Sequence, residues 1–155
     1  MSRSRLIIDA NLLLLLVIGA IEGGRHISNS KRLKDYSEND YQVVVRFMGT
    51  FGGVYITPYI ATEVSNLIDL NGYARTIAFE MAQLLFSQFK QIDTNIATDS
   101  EGKWFGTYGL TDTSLIGLVS EYTILTNDGR MSSVLYTVNG ENVVNLNFAK
   151  ELLQV

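Results

Sequence analysis

The stretch RLIIDANLLLLLVIGAI, Arg5 to Ile21, decides the fold. Arg5 to Ile8 is a short, branched apolar run, the pattern of a strand buried on both faces. Asp9-Ala10-Asn11 interrupts it, and an apolar block then continues to Ile21 before Gly23 and Gly24. An apolar run too long for a strand reads as a buried helix. Preceded by Arg3 and Arg5, the same stretch has the outline of a signal peptide. Asp9 and Asn11 break the run, however, and its uninterrupted part is far short of the roughly 20 residues of a spanning helix. Ile18 before Ala20 is also a poor cleavage signal. The expectation is therefore a buried strand, a polar turn and a buried helix, with no membrane segment.

Outward from this core the chain alternates. The segment from Arg25 to Asp40 is the most polar, and Ser37 or Asn39 is placed to cap a helix through Val43, Val44 and Phe47. Val54-Tyr55-Ile56 is strand-like. Thr57-Pro58 is a strong helix start, because Thr caps and proline is tolerated at the first helical position; that helix should run to about Leu70 and end at Asn71-Gly72. Tyr73 to Phe89 carries Ile77, Met81, Leu84 and Leu85 at helical spacing. A short strand near Gln91 is expected, and the stretch on to Gly109 gives no clear element. Thr111 is read as the cap of a helix from Asp112 to about Glu121. Tyr122 to Thr126 is β-rich, Asn127-Asp128-Gly129 a turn, Arg130 to Val138 a helix, and Val143 to Leu146 a last strand. Strands alternating with helices predict a three-layer α/β/α sandwich with a central, mainly parallel sheet.

The chain of 155 residues has the size of one domain, 1–155, without internal repeats. Its 46% hydrophobic and 18% charged residues, with a single proline, are globular and leave no room for a long disordered linker. The absence of cysteine excludes disulfides, thiolate metal sites and thiol nucleophiles, and fits a reducing, cytoplasmic setting. One histidine, His26, is too few for a histidine-rich zinc site and reads as a surface or satisfied residue. Any metal must be held by oxygen. The net charge of −4 opposes binding of a polyanion as a whole. Arg25, His26, Lys31, Arg32 and Lys34 nevertheless form a local basic cluster, read either as a phosphate-facing patch or as a solvated surface.

Of the 16 acidic residues, Asp9, Glu63, Asp112 and Asp128 share an unusual context, each at a strand end or helix start beside apolar sequence. Asp9 and Asp128 should emerge at carboxyl ends of strands, the edge where open α/β sheets bind ligands. Asp112 shares a helix face with Leu115, Ile116 and Val119. Glu63 lies within about 40 degrees of Leu67 on its helix, at the border of the apolar stripe. Like charges about 4 Å apart repel by roughly 4 kcal/mol even at an effective dielectric near 20. Taken singly, each acid reads as a cap or turn former; gathered together, they predict an oxygen-ligand site for Mg or Mn.

In these residues the chain resembles the PIN-domain nucleases, in particular their toxin-like ribonuclease branch. Leu6 to Leu13 looks like the family's opening motif, and Thr57-Pro58 through Glu63-Val64 like its second acidic motif. Leu110-Thr111-Asp112 with Ile116 resembles the third, and Leu125-Thr126-Asn127-Asp128 the closing Thr-x-Asp. The resemblance spans Leu6 to about Leu146.

It implies Mg- or Mn-dependent endonucleolytic cleavage of RNA, a homodimer, and an antitoxin partner for toxin members. The insertion from Arg25 to Asp40 is longer than compact toxins usually show. Asp9, Glu63 and Asp112 would be metal ligands, Asp128 a ligand directly or through water, and Asn11 and Thr126 supports that orient the acids. Lys31, Arg32, Lys34 and Arg130 are candidates to hold flanking phosphates, and Trp104 or Tyr108 to stack on a base, with a buried aromatic as the other reading of Trp104. Competing readings are a catalytically inactive PIN-like binding module, a DNA-directed nuclease of the flap-endonuclease type, and an aspartate-nucleophile phosphatase of the haloacid dehalogenase type. The last wants an aspartate where Asn11 stands.

Overall fold

A computed structural model describes residues 4–154. Arg3, weighed above as part of a basic leader, lies outside them. The strands are β1 (Arg5–Ile8), β2 (Gly53–Ile56), β3 (Lys90–Gln91), β4 (Thr123–Leu125) and β5 (Val143–Val144). They form one sheet of five strands in the order β3-β2-β1-β4-β5, parallel throughout. Leu6, Ile7 and Ile8 of β1 are fully or almost fully buried, as expected of a central parallel strand covered on both faces.

The helices are α1 (Ala10–Gly19), α2 (Glu38–Met48), α3 (Pro58–Leu67), α4 (Gly72–Gln88), α5 (Ile96–Asp99), α6 (Phe105–Leu118), α7 (Gly129–Asn139) and α8 (Leu146–Leu153). Helix α1 packs against α2, α3 and α4, whereas α6 packs against α7. The chain steps from β1 outward to β2 and β3, then returns to lay β4 and β5 on the other side of β1. Right-handed crossovers running in opposite directions put their helices on opposite faces, which produces the three layers. The architecture is an α/β/α sandwich around a parallel sheet.

Helix α1 is apolar all round and buried all round; only Asn11 is exposed. It is a core helix of 10 residues. Among the described residues no helix is long and apolar enough to cross a membrane. Gly19, its last residue, lies so close to the Tyr41 ring of α2 that an added Cβ would overlap it. Helix α2 starts at a capping box, with the Ser37 side chain bonded to the Asp40 N–H and the Asp40 side chain to that of Ser37. Lys150 of α8 reaches Asp40 at 2.8 Å.

Four boundaries differ from the sequence reading. Helix α3 stops at Leu67 because the Asp69 carboxylate accepts from Ser30 Oγ at 2.6 Å and Arg32 N at 3.2 Å, drawing the chain onto a loop. Thr111 does not cap: α6 begins at Phe105 and is broken at Gly109, whose φ of 81° and ψ of −177° change the helix direction before Asp112. Asp128 is the N-cap of α7 rather than the middle of a free turn. The last strand ends at Val144, where the Asn145 side chain accepts from Phe148 N at 2.8 Å and starts α8, an element the sequence reading lacked.

Candidate active site

The strand order reverses between β1 and β4; in open α/β sheets the carboxyl ends of the strands flanking such a switch point border the crevice in which ligands bind. Asp9 and Thr126 follow those two strands directly. Their level is set by the pairing of Ile8 with Leu125 and continued by a hydrogen bond from Asp9 N to Leu125 O at 2.9 Å.

Asp9 is 7% exposed and both its carboxylate oxygens are occupied. Oδ1 accepts from Ala10 N at 2.8 Å, capping α1, and Oδ2 accepts from Thr126 Oγ1 at 2.7 Å. The fully buried Thr126 hydroxyl in turn accepts from Asp128 N at 3.1 Å. One threonine thus joins the two strand-end aspartates. Asp128 Oδ1 accepts from Arg130 N at 3.0 Å and Met131 N at 3.2 Å, while its other oxygen takes no hydrogen bond among the described residues. Each carboxylate oxygen has two lone pairs, so this bonding orients both groups and leaves acceptor capacity toward the crevice.

Burial pushes the Asp9 carboxyl above the ordinary aspartate range, although the bonds from Thr126 and Ala10 oppose it, and the charge of Asp128 adds to the rise. Glu63, exposed on α3, is nevertheless raised, first by desolvation of its carboxyl and then by the charges of Asp9 and Asp128, against the Thr111 hydroxyl beside it. Asp112, half-buried on α6, is pushed up to about 7 by burial and then by Asp9, Asp128 and Glu63, with Arg130 the opposing charge. Its carboxylate accepts no hydrogen bond among the described residues. The four acids, from four different segments, therefore share one electrostatic neighbourhood. None of them forms a salt bridge among the described residues, where the ion pairs are Glu22 with Arg25 and His26, and Asp40 with Lys150.

The donor chemistry suits a hard divalent cation: carboxylates, with no thiolate and no competing lysine or arginine pair. As the side chains stand, however, no group of three or more Asp, Glu or His among the described residues is close enough to hold a metal ion.

The remaining candidates are distributed around this centre. Asn11 is exposed on α1 and its side chain makes no hydrogen bond among the described residues. Lys31, Arg32 and Lys34 are exposed in and beside a 3₁₀ turn at Lys31–Leu33. That turn leads to Tyr36, whose hydroxyl accepts from Asn127 Nδ2 at 3.4 Å and feels the charge of Asp9. His26 is buried and satisfied, bonded to Glu22 at 2.7 Å and to Asn29 at 3.3 Å. Arg25 pairs with Glu22 and Tyr73, which removes it from the free basic cluster. Tyr36 and the placing of Tyr108 beneath Arg130 were not foreseen; the only sequence signal for either is an aromatic next to a polar loop.

Comparison with protein-family models, with curated proteins and with solved structures finds no match. The fold and the acidic crevice thus define a class, an α/β/α sandwich with a carboxylate-lined switch point, and no family membership beyond it.

Proposed function

We propose that the chain is a Mg- or Mn-dependent endoribonuclease with its active centre at the switch-point crevice. The observation that carries the reading is the Asp9–Thr126–Asp128 linkage at the ends of β1 and β4, with Glu63 and Asp112 bearing on it electrostatically. Asp9, Glu63, Asp112 and Asp128 would hold the cation. A divalent cation in such a site supplies Lewis acidity toward phosphate and a water made acidic enough to serve as nucleophile.

The chain's own residues have separate tasks. Thr126 fixes the two aspartates in orientation, so that little ordering remains when a cation arrives. Asp112, with a carboxyl near 7, sheds its proton at neutral pH as positive charge enters. Arg130 stands beside Asp128 at the start of α7 and is the cation best placed to meet a phosphate on the crevice rim. Lys31, Arg32 and Lys34, in and beside the turn that leads to Tyr36, would meet flanking phosphates. An antitoxin partner and a homodimer rest on the PIN-domain resemblance alone.

The absence, among the described residues, of a ready-made three-acid cage favours a second reading, a catalytically inactive binding module. Incubation with total RNA and Mn, with and without EDTA, separates the two when the cut ends are mapped. Cleavage that EDTA abolishes is expected; intact RNA in both arms would leave the binding module.

A further inference from the structure

Two ties hold the polar insertion from Arg25 to Asp40 against the start of α4, and they flank one peptide bond. Asp69 accepts from Ser30 Oγ at 2.6 Å and from Arg32 N at 3.2 Å. Tyr73 accepts from Arg25 through its hydroxyl and meets the His26 ring edge-on, 6.1 Å between centroids. Between these anchors stands Asn71-Gly72. An asparagine followed by glycine is the pair in which the next backbone nitrogen reaches the side-chain amide carbon most readily, because glycine puts no side chain in the way and turns freely about its backbone.

The fold holds this pair loosely and leaves it open. Both residues are exposed, Gly72 has a φ of 60°, and nothing lies within 4 Å of where a Cβ on it would stand. Asn71 occupies the N-cap position of α4 without using its side chain, whereas Asn95 and Asn145 commit theirs to Thr98 N and Phe148 N. Its carbonyl receives Arg75 N at a long 3.4 Å, and the Gly72 N–H donates to no acceptor among the described residues. A cavity of about 230 Å³, lined in part by His26, Asn29, Asp69 and Asn71, opens beside the amide.

The other asparagines lack this combination. Asn139-Gly140 is half-buried at the end of α7, and a Cβ on Gly140 would meet the Tyr136 ring at 3.1 Å. Asn127 has both polar side-chain atoms engaged, accepting from Leu146 N at 3.0 Å and donating to Tyr36 at 3.4 Å. The rest precede residues that carry side chains.

We propose that Asn71-Gly72 is a self-modifying site at which the chain deamidates, and that the isoaspartyl product releases the insertion from α4. The Gly72 nitrogen gives its proton to hydroxide and bonds to Cγ of Asn71; the Cγ–Nδ2 bond breaks, and ammonia leaves with a proton taken from water. The five-membered imide so formed takes up water. Opening at the side-chain carbonyl leaves aspartate, and opening at the main-chain carbonyl leaves isoaspartate, whose backbone carries an extra methylene. One water is consumed for each ammonia released, and nothing is oxidised or reduced. Either product makes the chain one unit more negative than its present −4, but only isoaspartate lengthens the backbone between the Asp69 and Tyr73 anchors and moves one of them off its partners. The inference stands apart from the nuclease reading.

The full chain is kept warm at mildly alkaline pH, sampled over days and digested with trypsin, which puts the two Asn-Gly pairs in separate peptides, Phe47–Arg75 and Met131–Lys150. Conversion of amide to acid is expected in Phe47–Arg75 about tenfold faster than in Met131–Lys150, with isoaspartate detected by enzymatic carboxyl methylation. In the urea-unfolded chain the two should convert alike. Asn71→Gln, whose longer side chain disfavours ring closure, should abolish the change in Phe47–Arg75. Brief trypsin treatment of the intact protein should cut the aged chain several-fold faster at Lys31, Arg32 and Lys34 than the fresh one, whereas Asn71→Asp, with the charge but no added methylene, is cut as the fresh chain is. Equal conversion of the two peptides in the folded protein, or a Phe47–Arg75 peptide that stays intact while the unfolded chain converts, overturns the site. Unaltered cutting of a chain that carries isoaspartate, or faster cutting of Asn71→Asp, overturns the release.

Discussion

Thr126 carries more of the site than any acid. Its hydroxyl donates to Asp9 Oδ2 and accepts from Asp128 N, so Thr126→Val leaves a buried carboxylate oxygen and an amide without their partners. A loss of about 1–3 kcal/mol in thermal or denaturant unfolding is expected, together with weakened metal binding. Asp112 behaves oppositely. Its carboxyl titrates near 7 in the folded chain, against an ordinary 3.8, so between those values the folded state holds a proton that the unfolded state has released. Stability of the metal-free protein therefore falls as pH rises from about 4 to about 7. Asp112→Asn should flatten that slope in Tm against pH; an unchanged slope would show that Asp112 is solvated and unstressed. Asp9→Asn keeps an oxygen to cap α1 and loses the repulsion, so the expected outcome is a stable, inactive protein. If Asp9→Asn unfolds the chain, Asp9 is structural.

At the level of elements, much was legible where local signals and burial agree. The Leu6–Ile8 run and the capping residues Ser37 and Thr57 each predict the element that forms, whereas Tyr73–Phe89 forms its helix but buries Ala74, Ala78, Ala82 and Leu85 rather than a stripe of Ile77, Met81 and Leu84, of which Leu84 is exposed. What was not legible depends on contacts distant in sequence or on backbone freedom. Nothing near Leu67 announces that Asp69 will bond Ser30 and Arg32, and a glycine at 109 does not declare a positive φ. Helix α8 was hidden behind a β-branched pair, Val143-Val144, that reads as a longer strand. Two substitutions test the elements that aim the acids. Gly19→Ala forces α1 away from Tyr41, and overpacking of this kind costs about 1–3 kcal/mol. Thr57→Ala removes the buried oxygen that accepts from Ile60 N at 3.1 Å, loosens the first turn of α3 below Glu63, and should cost about 1 kcal/mol in denaturant unfolding.

Across the whole molecule, topology converts a dispersed set of acids into a single neighbourhood. Asp9 and Asp128 are 119 positions apart in the chain, yet the adjacency of β1 and β4 sets them on one edge. The candidate site was legible to the extent that strand ends and helix faces can be read from patterning, which covers Asp9, Asp112 and Asp128. The spacing between the acids, and whether it closes around a cation, depends on side-chain rotation that patterning does not specify. The negative net charge makes the same point, since any polyanion must be met locally by Arg130, Lys31, Arg32 and Lys34. If the proposed function holds, those acids bind a cation jointly. The direct measurement is a titration of Mn against Tm for the parent chain and for Asp9→Asn, Glu63→Gln, Asp112→Asn and Asp128→Asn. A rise equivalent to about 2.7 kcal/mol is expected for the parent at 100 times the dissociation constant, and a weaker response in each variant. A flat curve for the parent, or variants that respond as the parent does, would contradict it.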